Sequence, residues 1–153
     1  MLQCRTYSQR SSSSKNRRGN DNLEQQAQAL FNYYFVDNSE VLGKVEVSNL
    51  IQIASYTNGL AMQRFRPHED EKGLPVLKIK ELGQGAVDST SDRCTGEINT
   101  EYKVHDGDVI FSWSGTLMVK VWTGGDCGLN QHLFKVTSKV YPKWFYYFWT
   151  RHH

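Results

Sequence analysis

Hydrophobic positions change their period once along the chain, near residue 45. Before that point, in DNLEQQAQALFNYYF (21–35), Leu23, Ala27, Leu30, Phe31 and Tyr34 recur at i, i+4, i+7, i+8 and i+11. This is a single apolar stripe, and it predicts a helix over 21–36 whose opposite face is Gln, Glu and Asn. Asp21 stands where an N-cap belongs, and Glu24 three residues on completes an Asp version of the capping box. Such a helix must bury its stripe against its own domain or a partner helix, and periodicity does not choose between them.

Beyond 45 the period becomes two. VEVSNLIQIA (45–54) fits a strand or a short helix, Asn58-Gly59 is a turn signal in the loop that follows, and RFRPHEDEKG (64–73) is too charged to leave the surface. LPVLKIK (74–80) reads as a strand opened by Pro75 and closed by Gly83 and Gly85. Asp106-Gly107 turns the chain into DVIFSW (108–113), Ser114-Gly115-Thr116 interrupts it, and LMVKVWT (117–123) resumes. After the turn Gly124-Gly125-Asp126, LNQHLFKVTS (129–138) is expected as one further strand. YPKWFYYFW (141–149) then carries seven of the 19 aromatic residues, with Pro142 at a helix start. Six consecutive aromatics are apolar all round a helix, which predicts burial between layers or cover by another chain. The expected class is α/β (α+β): an N-terminal connector helix, a mixed, largely antiparallel sheet and a C-terminal aromatic helix.

A chain of 153 residues has room for one domain and a short accessory element. No apolar run is long enough for a bilayer, and no basic start leads into an apolar secretory segment, so no membrane partner is expected. Cys4, Cys94 and Cys127 are odd in number and form no CxxC, which argues against a disulfide framework or zinc cage and for a reducing, cytoplasmic setting. The formal charge of +2 is misleading. Residues 1–20 hold five of the 18 basic side chains and none of the 16 acidic ones, leaving 13 against 16 and a net −3 for the remainder. This serine-rich basic tail is expected to be disordered, a solvated arm more readily than a phosphate-binding one. Any nucleic-acid surface must be a local patch. From Leu133 onward four basic residues and two histidines meet no acid. The expected organisation is thus a tail (1–20), a connector helix (21–44) and a folded domain (45–153).

Reactive patterns are missing. There is no GxxxxGK[ST], HExxH, CxxC or Gly-x-Ser-x-Gly, and Pro67, Pro75 and Pro142 cannot form the paired-proline loop of amino-methyltransferases. Gly83-Gln84-Gly85 reads as a turn, and Asp106-Gly107-Asp108 as backbone geometry rather than acid–base chemistry. No catalytic or metal-ligating residue is assigned, and a small stand-alone hydrolase ranks last among the readings. What remains is a binding surface. Ser112, Trp113, Ser114 and Thr116, with Asn130, Gln131 and His132, place side chains that can read base edges beside turns; Lys78 and Lys80, on one face of the 74–80 strand, could meet phosphates. The competing reading is that these groups satisfy turns and sheet edges, with His132 in a hydrogen-bonded structural role.

Four segments taken in order carry a resemblance: NDNLEQQAQALFNYYFVDN, LPVLKIKELGQG, YKVHDGDVIFSWSGTL and WTGGDCGLNQHLFKV. Over residues 19–153 the chain resembles the DNA specificity subunit of type I restriction–modification systems. The resemblance implies a non-catalytic target recognition domain from about Val45, reading one half of a split duplex sequence through the major groove. Long helices would act as a ruler between the halves, giving the stripe Leu23, Ala27, Leu30, Phe31 and Tyr34 a partner helix. It implies modification subunits that methylate adenine with S-adenosylmethionine and a restriction subunit that uses ATP and Mg²⁺, with no cofactor bound by this chain. Half-length subunits pair in some systems, so a second half-subunit is a further expected partner. The GDVIF and LNQHLFKV matches mark framework more than base contacts. A full subunit is more than twice this long with two recognition domains, so the domain is expected to be C-terminally incomplete. The alternative is a non-DNA interaction module that docks on modification subunits through helix 21–36.

Overall fold

The computed structural model describes residues 21–38 and 49–152; the basic tail 1–20 and the expected domain start at Val45 lie outside them. The chain divides into two compact units, Met1–Val47 and Ser48–His153.

In the first unit, α1 (21–31) runs into a π-helical turn, Asn32–Asp37. Of the expected stripe, the wider turn holds only Tyr34, and shifts it out of phase with Leu23, Ala27, Leu30 and Phe31. Phe31 is buried at 4% exposure and stacks on Phe35 with ring centroids 5.0 Å apart, whereas Leu23, Leu30 and Tyr34 are exposed at 65%, 59% and 51%. Ala27 is half-buried.

In the second unit α2 (Leu50–Ile53) makes the described part of the ambiguous 45–54 segment helical, while 45–48 lie outside the described residues. Asn49 is its N-cap: its Oδ1 accepts the Gln52 N–H at 3.1 Å while its own N–H donates to Gln52 Oε1 at 3.0 Å. The loop expected next contains a strand, β1 (Ser55–Asn58), paired along its whole length with residues 134–137. β2 (Leu74–Leu77), α3 (Ile79–Gln84), β3 (Arg93–Cys94), β4 (Lys103–Val104), β5 (Val109–Ser112), β6 (Met118–Val121), β7 (Cys127–Leu129), β8 (Leu133–Thr137) and α4 (Lys143–His152) follow.

The strands form two sheets where one was expected. One, β1-β8-β5-β6, is wholly antiparallel; the other, β3-β2-β7-β4, contains the parallel pair β2–β7. The class stands as mixed and largely antiparallel. Leu77, Leu82, Ile110, Trp122, Leu129 and Leu133 form a core drawn from both sheets, and Met62, Val76, Cys94 and Ile98 form a second cluster. Adjacent Val76 and Leu77 thus serve different clusters, so β2 is covered on both faces and reads as a continuous apolar run.

Two strand predictions fail for identifiable reasons. The 74–80 strand stops at Leu77, because the Glu81 carboxylate accepts the Lys78 N–H at 3.3 Å and starts a helix there. Ile79 and Leu82 then take helical spacing, and Gly85 ends α3 in the left-handed region at φ 73°. The 129–138 strand is split, because Asn130 makes a turn: its Oδ1 accepts the His132 N–H at 3.3 Å and its carbonyl accepts the Leu133 N–H at 2.9 Å. Chain leaves one sheet at Leu129 and enters the other at Leu133 through this three-residue elbow.

The aromatic helix is buried through its middle and exposed towards its ends, rather than buried throughout. Tyr146, Tyr147, Phe148 and Thr150 are buried, while Trp144 is 51% exposed. α4 packs on β5, β6 and β8, and the Thr150 hydroxyl lies 3.0 Å from that of Tyr56 on β1. Tyr56, Phe111 and Phe134 form a ring cluster on this face, with centroid separations of 6.2–6.5 Å. Among the described residues no helix is long and apolar enough to cross a membrane.

Candidate nucleic-acid interface

Strand register decides which loops meet. Ser112 at the end of β5 pairs with Leu133 at the start of β8 and with Met118 at the start of β6. The 113–117 hairpin tip and the 130–132 elbow therefore emerge at the same end of the antiparallel sheet. The Trp113 ring lies 6.3 Å from the His132 ring and 6.2 Å from that of Phe134, so the two loops share an aromatic edge.

The residues expected to bind DNA divide into two groups. Ser112 is fully buried and its hydroxyl donates to the Ser114 carbonyl at 3.3 Å; Asn130 is 6% exposed and builds the elbow. Both hold backbone in place. Trp113, Thr116 and His132 are exposed, and Ser114 and Gln131 are half-buried at the loop tips. Gln131 is fixed from behind, since its N–H donates to the Leu60 carbonyl at 2.9 Å.

Lys78 and Lys80 do not share a strand face. They precede and enter α3, and carboxylates of the 88–93 segment meet both: Lys78 pairs with Asp92, and the Lys80 ammonium lies 3.7 Å from Asp88 and 3.2 Å from the Thr90 hydroxyl. The Lys78 ammonium, by hydrogen bonding and by charge, holds the Asp92 carboxyl below its usual range. Hydrogen bonds from Thr90 do the same for Asp88.

Beside the elbow lies a cleft of about 410 Å³ lined by Gln63, Arg66, Lys78, Asp92, Arg93 and Asn130, among others. Lys80 is not part of it. Gln63, Arg66 and Arg93 were not singled out in the sequence, where RFRP reads only as a charged surface stretch. Two arginines flanking an aromatic beside a proline were the available signal. The Arg93 guanidinium donates to the carbonyls of Lys72 and Gly73 at 2.6 and 2.7 Å, while Arg66 makes no ion pair among the described residues. Arg66 stands on an anchored loop: the Phe65 carbonyl accepts the Thr95 N–H at 2.8 Å, and Glu71 receives N–H groups of Gly96 and His68. These bonds, that of Gly96 foremost, keep the Glu71 carboxyl below its ordinary value.

Other reactive side chains are occupied. Asp106 accepts the Gly125 N–H at 2.7 Å and Asp108 the His105 N–H at 2.9 Å, so both carboxylates shape turns. Burial pushes the Cys127 thiol up to about 12 and raises that of Cys94, which leaves both poor nucleophiles. Among the described residues no group of three or more His, Cys, Asp or Glu side chains is placed to hold a metal ion.

No family model matches the chain. Over 97 residues it is 29% identical to the type I restriction enzyme EcoBI specificity subunit of Escherichia coli, a stretch covering 62% of this chain and 20% of that protein. The resemblance read from the sequence is thereby borne out, and the match spans about a fifth of the relative's length. Among solved structures, the HsdS subunit from Thermoanaerobacter tengcongensis is similar at 12% identity and a TM-score of 0.46, over 92% of this chain and 37% of that one.

Proposed function

We propose that the second unit, Ser48–His153, is a target recognition domain of a type I specificity subunit and binds duplex DNA with the loop end of its antiparallel sheet. The observation that carries this reading is the convergence of 113–116 and 130–132 at one sheet end beside a cation-lined cleft. Side chains of Ser114, Thr116 and Gln131 are of the types that pair with base edges in the major groove, and Trp113 and His132 supply apolar and ring contact beside them. Ser112 and Asn130 fix the backbone under these tips, so the loops reach the groove already ordered and bind at lower entropic cost. Lys78 and Lys80 contribute phosphate contacts once they exchange their carboxylate partners for the DNA backbone.

On this reading the chain performs no chemistry. It directs modification and restriction subunits in the cytoplasm, and S-adenosylmethionine, ATP and Mg²⁺ serve those subunits. Leu23, Leu30 and Tyr34, exposed on the N-terminal helix and its π-helical turn, are available to a partner helix of a modification subunit or of a second specificity half-subunit. That same exposure favours a second reading, in which the chain docks on modification subunits through 21–36 without touching DNA.

Fluorescence anisotropy of the full chain with duplex pools at graded salt separates the two. Affinity falling steeply as salt rises supports DNA recognition. No duplex binding at low salt, together with salt-insensitive association with an adenine-modification subunit, supports the docking module.

A further inference from the structure

The cleft beside the elbow holds more than the loop tips require. Three cations, Arg66, Lys78 and Arg93, face one carboxylate, Asp92, and Gln63 adds an amide. Their commitments differ. Arg93 has spent donors on two backbone carbonyls, so it contributes field rather than grip. Lys78 is held by Asp92, and Arg66 is free of ion pairs among the described residues, on a loop pinned by the Phe65 carbonyl and by Glu71. Pro67 restricts the Arg66 backbone to extended conformations, which limits where the guanidinium can swing.

We propose that this cleft seats one phosphate of the DNA backbone, gripped by Arg66 and Lys78, and that Asp92 is a built-in competitor that keeps Lys78 occupied until the phosphate arrives. The inference rests on the DNA-recognition reading and adds Arg66 and the competing Asp92 to a phosphate contact for which the sequence suggested only Lys78. A phosphate fits the arrangement better than a peptide carboxylate, because the cleft adjoins the elbow through Asn130 and so continues the surface of the reading loops. A guanidinium beside an ammonium also matches a tetrahedral anion with several acceptor oxygens. Every duplex carries phosphates, so a free Lys78 would strengthen binding to all sequences alike. By holding that lysine, Asp92 lowers generic affinity and leaves discrimination to the base-reading tips.

The test uses the full chain, a selected duplex and a scrambled one, with affinity measured across a salt series. Asp92→Asn removes the competing charge and is expected to tighten both duplexes roughly 2–5-fold and to steepen the logarithmic salt slope by about 0.9. Arg66→Ala is expected to weaken both duplexes by similar factors and to flatten the slope by about 0.9. The gain in Asp92→Asn cannot arise from misfolding, so it protects the inference from a trivial loss. Unchanged or weaker binding by Asp92→Asn, or an unaltered salt slope in Arg66→Ala, overturns the phosphate seat while wild-type binding leaves the DNA reading standing. Failure of the wild type to bind any duplex overturns both.

Discussion

Gly59 sits where the two sheets touch, and a single methyl group there tests the packing described above. A Cβ at this position falls 2.5 Å from the Asn130 carbonyl carbon and closer still to the carbonyl oxygens of Leu129 and Asn130. These are backbone atoms of β7 and the elbow, which cannot swing aside as a side chain can. Relief requires parting the 59–60 segment from 129–133. Three hydrogen bonds cross that seam: Gly59 N–H to Leu133 O at 3.0 Å, Leu60 N–H to Leu129 O at 2.9 Å and Gln131 N–H to Leu60 O at 2.9 Å. At roughly 1 kcal/mol net for each, Gly59→Ala should cost about 3 kcal/mol, which agrees with the upper range of about 1–3 kcal/mol for overpacked sites. Small domains have about 5–15 kcal/mol in all, so the change removes a large part of the stability. The assay is urea denaturation with unchanged m-value, alongside a thermal melt expected to drop by roughly 10–15 °C. Gly83→Ala is the control: its Cβ meets only the Met118 methyl at 3.9 Å, on an exposed position of α3. Replacing a helical glycine there should be neutral or stabilise by up to about 1 kcal/mol. A Gly59→Ala variant within about 0.5 kcal/mol of wild type refutes the seam argument.

Three further outcomes follow from individual groups. Tyr56→Phe deletes the hydroxyl that faces Thr150 and should cost about 1 kcal/mol, measured as a lower urea midpoint; an unchanged midpoint means α4 is held by ring packing alone. Ser112→Ala should lose stability without altering sequence preference, whereas Trp113→Ala should keep stability and weaken duplex binding, a contrast read by pairing melts with anisotropy. In the fold the Cys127 thiol stays protonated to about 12, while in the unfolded chain it ionises near ~8.5. Between those values the unfolded state binds fewer protons, so stability falls as pH rises, by at most about 1.4 kcal/mol per pH unit. Cys127→Ala should flatten that alkaline slope, and identical slopes for variant and wild type contradict the assignment.

The sequence was most legible where one short-range signal decides the outcome. Gly107, Gly115 and Gly125 turn at positive φ where their neighbours suggested, and the N-terminal helix is present. It was least legible where a side chain diverts the backbone. KIK alternates like a strand, yet the Glu81 carboxylate caps a helix at Lys78; LNQHLFKV looks continuous, yet the Asn130 amide bends it. β1 has no apolar alternation of its own and is paired along its whole length with β8. For the site, composition pointed to the loop tips but could not separate Ser112 and Asn130, which are buried, from Trp113 and His132, which are exposed. Nor could it find the acids opposite Lys78 and Lys80, because those pairings span 14 and 8 residues and depend on how α3 lies against the 88–93 segment.

Because the chain steps from one sheet to the other within Asn130–His132, that elbow is braced on both sides, whereas the 113–117 tip is tethered to a single sheet. Inserting one residue between Leu129 and Leu133 would throw either β7 or β8 out of register and turn its inward side chains to solvent. On the proposed DNA-reading role, an altered recognition sequence should therefore be reached at the elbow by exchanging letters, Gln131 and His132 above all, and at the hairpin tip by changing length as well.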